Sequence, residues 1–272
     1  MLRKAAFAGS FYDANPQSLK KQINDWFDEI ELPDVSDKLL GVICPHAGYI
    51  YSGSCAAHSY KLLAKNKIKT AIIIHPSHRS NNFGYSISPF DEYATPLGNL
   101  RADLDLAENL KHGSDIIDVY YHQHEHSMEV QLPFLFNINP EIKVVPILIG
   151  RQDYDNSKIL AELLNKHLDY ESTAVIVSTD LSHYLSSDVA NAMDGRLIDY
   201  ITANDIEHFF DNIVHHRIEA CGFCGIMTMM HLTKYIDNSY IEKLHYTHSG
   251  YTSGDFDQVV GYLSAALLKK EG

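Results

Sequence analysis

The chain has 272 residues, 45% of them hydrophobic and 21% charged, proportions ordinary for a soluble globular protein. A formal net charge of −13 at pH 7 argues against nucleic acid or an anionic membrane as partner. There is no run of about 18 apolar residues to cross a membrane. The opening MLRKAAFAGSFYDANP lacks the apolar core of a secretory signal, so a cytoplasmic location is expected.

Asn15 and Pro16 supply an N-cap and a first helical position, and Leu19, Ile23, Trp26, Phe27 and Ile30 follow them at helical spacing. LPDVSD reads as a loop, 39–44 as a buried strand, 55–65 as a helix and 69–75 as a second buried strand. Residues 85–98 read as a short strand followed by turns, and 103–111 as a helix. A helix is expected over 126–136, weakened by Pro133. KVVPILIG (143–150) is a strand whose proline points to an edge or a bulge. SKILAELLNKHL is a helix, TAVIVS a buried strand, and 187–203, 203–213 and 224–236 are helical. FDQVVGYLSAALLKK gives a strand and a final short helix. Strands alternate with helices throughout, without repeat or linker. The expectation is therefore one α/β domain over 1–272, with a mostly parallel central sheet flanked by helices.

Three apolar strands are each followed by histidine. His46 follows LLGVICP, His75 and His78 lie in AIIIHPSH, and Asp180 and His183 follow AVIVST. Ligands of open α/β folds bind beyond the carboxyl ends of strands. One such histidine alone would more often cap a loop or bond a carbonyl; several at equivalent strand ends point to a metal or acid–base site. His78 is preferred to His75 as a ligand because a loop can aim it. Asp180 can fix the tautomer of His183 and raise its basicity.

HQHEHSMEVQLPF (122–134) is rich in titratable groups, and in a helix Glu125 and His126 would each lie near Glu129 on one face. Glu125, His126 and Glu129 are then candidates to line the cleft or support its ligands, as is His75; the alternative for the cluster is a solvated surface. Cys44, Cys55, Cys221 and Cys224 do not make a secreted disulfide framework. Cys221 and Cys224 form one CxxC, without the second pair that a four-cysteine zinc site needs. Cys224 reads best as a buried thiol at a helix start, with the cleft as the alternative. GYTSGDFDQVVGY (250–262) could border the cleft. No GxSxG, HExxH, Walker or convincing GxGxxG motif occurs.

The segments AGSFY, PHAGYIYSGSCAAHSY, PSH, TPLG, EHSMEVQLPF, STDLSH and ACG run from residue 8 past residue 220. Together they resemble the Memo family, also called AmmeMemoRadiSam system protein B. That family is similar in fold to class III extradiol dioxygenases. The resemblance implies His46 and His78 as metal ligands, with Cys221 where the dioxygenases carry a carboxylate. It implies His183 as the acid–base histidine, accompanied by Asp180. His75 departs from the glycine often found before PSH, and Cys224 has no counterpart in the family pattern. A thiolate in place of a carboxylate makes the site softer, suiting iron or copper with zinc as the alternative, and exposes the sulfur to oxidation. The implied activity is a metal-dependent redox role on an unidentified small molecule or peptide. The alternatives are a non-catalytic metal- or peptide-binding module and a zinc-type hydrolase. The family name further implies a pathway shared with radical-SAM and AMMECR1-like proteins.

Overall fold

The structure, a computed structural model, describes residues 1–32 and 37–270. Most of the loop expected at LPDVSD lies outside the described residues. The first third of the chain contains β1 (Leu2–Arg3), α1 (Pro16–Glu29), β2 (Lys38–Cys44), α2 (Tyr49–Ala64), β3 (Thr70–Pro76) and β4 (Tyr85–Ile87). The middle contains β5 (Glu92–Thr95), β6 (Gly98–Ala102), α3 (Leu104–Leu110), α4 (Val119–Gln123), α5 (His126–Glu129), α6 (Leu132–Ile138), β7 (Lys143–Ile149) and α7 (Tyr154–His167). Then come β8 (Thr173–Ser178), β9 (His183–Leu185), α8 (Ser187–Thr202), α9 (Ile206–Val214), α10 (Phe223–Leu232), β10 (Ser239–His248), α11 (Gly250–Ser253) and β11 (Val259–Lys269).

The strands form one sheet in the order β1-β5-β6-β7-β3-β8-β2-β11-β10, with β4 also on β7 and β9 also on β11. Its centre, β6-β7-β3-β8-β2, is parallel, while β11 and β10 extend it antiparallel. The central strands alternate with period two between two buried faces. Ile72, Ile74, Val145, Ile147, Val175 and Val177 join the core shared with α3, α7, α8, α9 and α10. Ala71, Ile73, Val144, Ala174 and Ile176 join the core shared with α1, α2 and α6. This is the α/β layering expected from the element order.

Four local expectations need correction. Pro146 lies in a central strand, not at an edge. β6 pairs with β7 only at Lys143 and Val144, and β4 only at Ile147–Ile149. The Pro146 carbonyl accepts the Ser88 N–H at 3.0 Å, so its ring nitrogen faces that same flank, at the point where β6 has left and β4 has not begun. The missing donor therefore costs no ladder bond. The expected 126–136 helix is two helices, α5 and α6, and Pro133 starts the second. α2 begins at Tyr49, six residues before the expected start at 55. SAALLKK is not a terminal helix: β11 runs through to Lys269 between β10 and β2, because both of its faces are buried.

Arg3 and Glu129 form an ion pair at 2.6 Å with both side chains fully buried. Glu129 also accepts the Ala6 and Phe7 N–H groups and the Tyr12 hydroxyl. The arginine donates to the carbonyls of His122 and Glu125. This knot ties the N-terminal segment to the chain leading into α5. It also corrects the expectation that Glu129 lines the cleft beside Glu125. Glu125 is the N-cap of a one-turn helix, and Glu129 points away to Arg3.

Candidate metal centre

β2, β8 and β3 are adjacent and parallel, so their carboxyl ends meet at one edge. Each delivers a functional residue two positions past its end: His46 after Cys44, Asp180 after Ser178, and His78 after Pro76. The Asp180 carboxylate accepts the His46 backbone N–H at 2.7 Å, cross-linking two of these strand ends.

The turn before α10 brings in Cys221. Its N–H donates to the Asp180 carbonyl at 3.1 Å, and the Asp180 N–H donates to Sγ at 3.2 Å. Gly222 permits this close approach, since a Cβ there would lie 2.6 Å from the Ser178 carbonyl oxygen. Gln152 pins the turn from its other side. Its amide donates to the Cys221 carbonyl, and its oxygen accepts the Cys224 N–H.

The donor atoms of His46, His78 and Cys221 all lie within 4.8 Å of one another. Sγ is 3.1 Å from His46 Nε2. The surrounding hydrogen bonds assign the tautomers. The Ser178 hydroxyl donates to the Ser127 carbonyl at 2.6 Å, so its oxygen must accept from His46 Nδ1 at 2.9 Å. Gln131 donates to the same oxygen at 2.9 Å. His46 thus carries its proton on Nδ1 and presents the Nε2 lone pair to the sulfur. His78 is set the same way, because its Nδ1 lies 2.9 Å from Glu125 Oε1 and its backbone N–H donates to Oε2. Two imidazoles with Nδ1 tied back and Nε2 free, beside one thiol, fit a divalent metal ion.

His126 adds a third ring. It stacks on His78 with centroids 4.6 Å apart, and its Nδ1 lies 3.2 Å from Glu125 Oε1. His78, Glu125 and His126 make a second group of donors compatible with a metal. Phe7 and Phe11 pack against the His126 ring and close that side.

Electrostatics support the same assignment. Burial, then the neighbouring His126 and His78, hold His46 well below the usual imidazole range, which suits a neutral donor. Burial alone would raise Glu125, but the hydrogen bonds from His126 and His78 outweigh it and keep the carboxyl ionised. Burial and Asp180 push the Cys221 thiol up, so a cation must displace its proton on binding. Burial also raises Asp180.

The other expected site residues fall into place unevenly. The carboxylate bonded to His183 is Glu219, 3.1 Å from its Nδ1, while Asp180 serves the His46 backbone. The Glu219 hydrogen bond, with Asp180 nearby, raises His183. His75 continues the β3 alternation onto the α5 side and is buried, with Nδ1 on the Ser127 hydroxyl. Cys224 is no cleft residue: it is the buried thiol expected at a helix start, in the first turn of α10, and burial pushes it up to about 12. Ser178, Ser127, Gln131, Gln152 and Glu219 were not anticipated from sequence. Only Glu219, two residues before Cys221, offered a positional hint.

The profile of the family described as Memo-like protein matches residues 3–266. The chain belongs to the Memo family. A MEMO1 family protein of Methanobrevibacter smithii is 40% identical over 281 residues, covering 97% of this chain and 99% of its own. One from Methanosarcina barkeri is 34% identical over 272 residues, covering 98% and 99%. One from Methanopyrus kandleri is 35% identical over 287 residues, covering 100% of each. A solved structure of an uncharacterized Escherichia coli K12 protein aligns over 83% of this chain and 99% of that chain. Its 11% identity and TM-score of 0.44 carry no assignment. Among the described residues, no helix is long and apolar enough to cross a membrane.

In this Memo-family chain, Glu125 orients both His78 and His126. Replacing it by glutamine keeps the shape but turns an NH₂ toward an N–H of His78, on the ring or on the backbone. Glu125→Gln is expected to weaken metal binding about 10- to 100-fold, measured by competition with a chromogenic chelator. Unchanged affinity would remove Glu125 from the centre.

Proposed function

We propose that this chain is a metal-dependent redox protein whose centre is held by His46, His78 and Cys221. The observation that carries the reading is the convergence of these donors within 4.8 Å, with both imidazoles tied at Nδ1. A mixed thiolate–imidazole set favours iron or copper over magnesium or calcium. Such an ion, when bound, would supply the electron-transfer step.

The protein residues have separable tasks. Ser178 and Glu125 keep the His46 and His78 rings in register. Asp180 holds the His46 backbone. His183, with Nδ1 donating to Glu219, keeps Nε2 for taking a proton from substrate or returning one. The Glu219 hydrogen bond raises its pKa and favours the charged form, which suits a proton donor. The substrate is a small molecule or a peptide; a place in a pathway with radical-SAM and AMMECR1-like proteins remains part of the proposal.

The test is elemental analysis of anaerobically purified protein. One iron or copper per chain is expected, falling to background in His46→Ala and Cys221→Ser. Equal metal in wild type and both variants would overturn the assignment. Stoichiometric zinc with no redox-active metal would favour the hydrolase reading.

A further inference from the structure

A cavity of about 320 Å³ lies beside the metal centre. Its lining includes Ala47, Tyr51, Tyr184, Tyr262 and Asp255. Ala47 follows His46 and Tyr184 follows His183, so two of these residues are chain neighbours of the site. The 250–262 segment, whose glycines before an apolar strand made it a candidate to border the cleft, supplies Ser253, Asp255, Gln258, Val260 and Tyr262 to this lining.

The lining is chemically one-sided. Three tyrosines contribute to it, Asp255 is its charged residue, and no lysine or arginine takes part. An anion would meet Asp255 and a chain of net charge −13 without a compensating cation. The negative faces of tyrosine rings attract cations, most strongly those that lose little hydration on entry. An alkylated ammonium meets that condition, whereas a primary ammonium holds its water tightly.

Tyr184 supplies an independent observation. Its φ is +60°, a left-handed conformation rare for an aromatic residue. Its neighbours His183 and Leu185 pair with Val260 and Val259 of β11 with a register shift between them, so Tyr184 is the extra residue of a β-bulge. The residue remains 71% exposed and gains little from packing. Bulges beside functional sites re-aim a side chain, and this one sets the exposed Tyr184 at the cavity.

We propose that this cavity is an aromatic cage for a quaternary or methylated ammonium group. That the group belongs to the substrate of the metal centre rests on the functional reading above; the cation preference itself does not.

The test compares choline with 3,3-dimethyl-1-butanol, its neutral isostere, by NMR titration of metal-free and metal-loaded protein. Choline is expected to bind about 10-fold more tightly or better. Tyr184→Ala should weaken choline about 3- to 30-fold, and Tyr184→Phe, which keeps the ring face, should stay within about 2-fold of wild type. Asp255→Asn should also weaken choline and leave the alcohol unaffected. Equal binding of the two probes, no binding of choline, or an unchanged Tyr184→Ala would overturn the cage. Metal content, read on the same samples, reports on the metal reading separately: choline selectivity in a chain that takes up no metal would sink only that reading.

Discussion

Replacing Glu129 by alanine is expected to destabilise the fold by about 3–5 kcal/mol, because it leaves the Arg3 guanidinium charged, buried and without its counter-ion. Both side chains are fully buried at 2.6 Å, so solvent does not screen the pair. The change also strands the Ala6 and Phe7 N–H groups and the Tyr12 hydroxyl, which all end on the same carboxylate. The carbonyls of His122 and Glu125 still accept from Arg3, but they supply no full charge. Urea unfolding of Glu129→Ala and of Arg3→Leu, Glu129→Leu together measures the effect. The double variant is expected to lose less than the single one, since removing both charges removes the desolvation penalty with the attraction. A single variant within about 1 kcal/mol of wild type would mean that water reaches the pair. Phe7 and Phe11 lean on His126 from this same segment. The single variant should therefore loosen the wall of the metal centre as well as the fold.

The strand ends were readable because burial on both faces leaves an unbroken apolar run, and a polar residue just past it has few roles in a core. LLGVIC and AIIIHP show this, and the structure puts His46 and His78 where those runs predict. Cys221 was reached only through family resemblance: its position depends on a turn that folds back across β8, a contact some 40 residues distant in sequence. His183 illustrates the same limit. Asp180 was the obvious partner by spacing, but the backbone beyond β8 turns its carboxylate toward the His46 amide, and Glu219 arrives from a distant turn. The shared face of Glu125 and Glu129 misled because helical spacing presupposes a continuous helix. The chain instead caps α5 with one and buries the other against Arg3. Ser178 and Ser127, which set the imidazole tautomers, carry no signal at all in a single sequence, since serine is common and only geometry distinguishes a tautomer-fixing hydroxyl.

Acidification tests the neutral imidazoles on which metal binding depends. Burial holds His46 and His75 well below the ordinary value of 6.5, and burial with Arg3 lowers His122 to about 4. The unfolded chain protonates these groups near 6.5 and the folded chain does not, so stability is full above that pH and is lost as pH falls below it. His122 contributes roughly 2 kcal/mol of loss between neutrality and about pH 5, and His46 and His75 add to the loss in the same direction. Asp194 works in the opposite sense. Its pKa is raised to about 6 by burial, so the folded state takes up its proton first and recovers about 1.4 kcal/mol at pH 5. The three histidines together outweigh that recovery, so stability is expected to fall on acidification, and a loss of even about 1–2 kcal/mol is a large share of the stability of an ordinary domain. Urea midpoints of metal-free protein at pH 7.5, 6.5, 5.5 and 5.0 (assay conditions spanning about the unfolded histidine pKa) should fall steeply over the last two steps. A flat profile would mean that these rings accept protons inside the fold. The tautomers assigned through Ser178 and Ser127, and with them the free Nε2 lone pair at His46, would then be wrong.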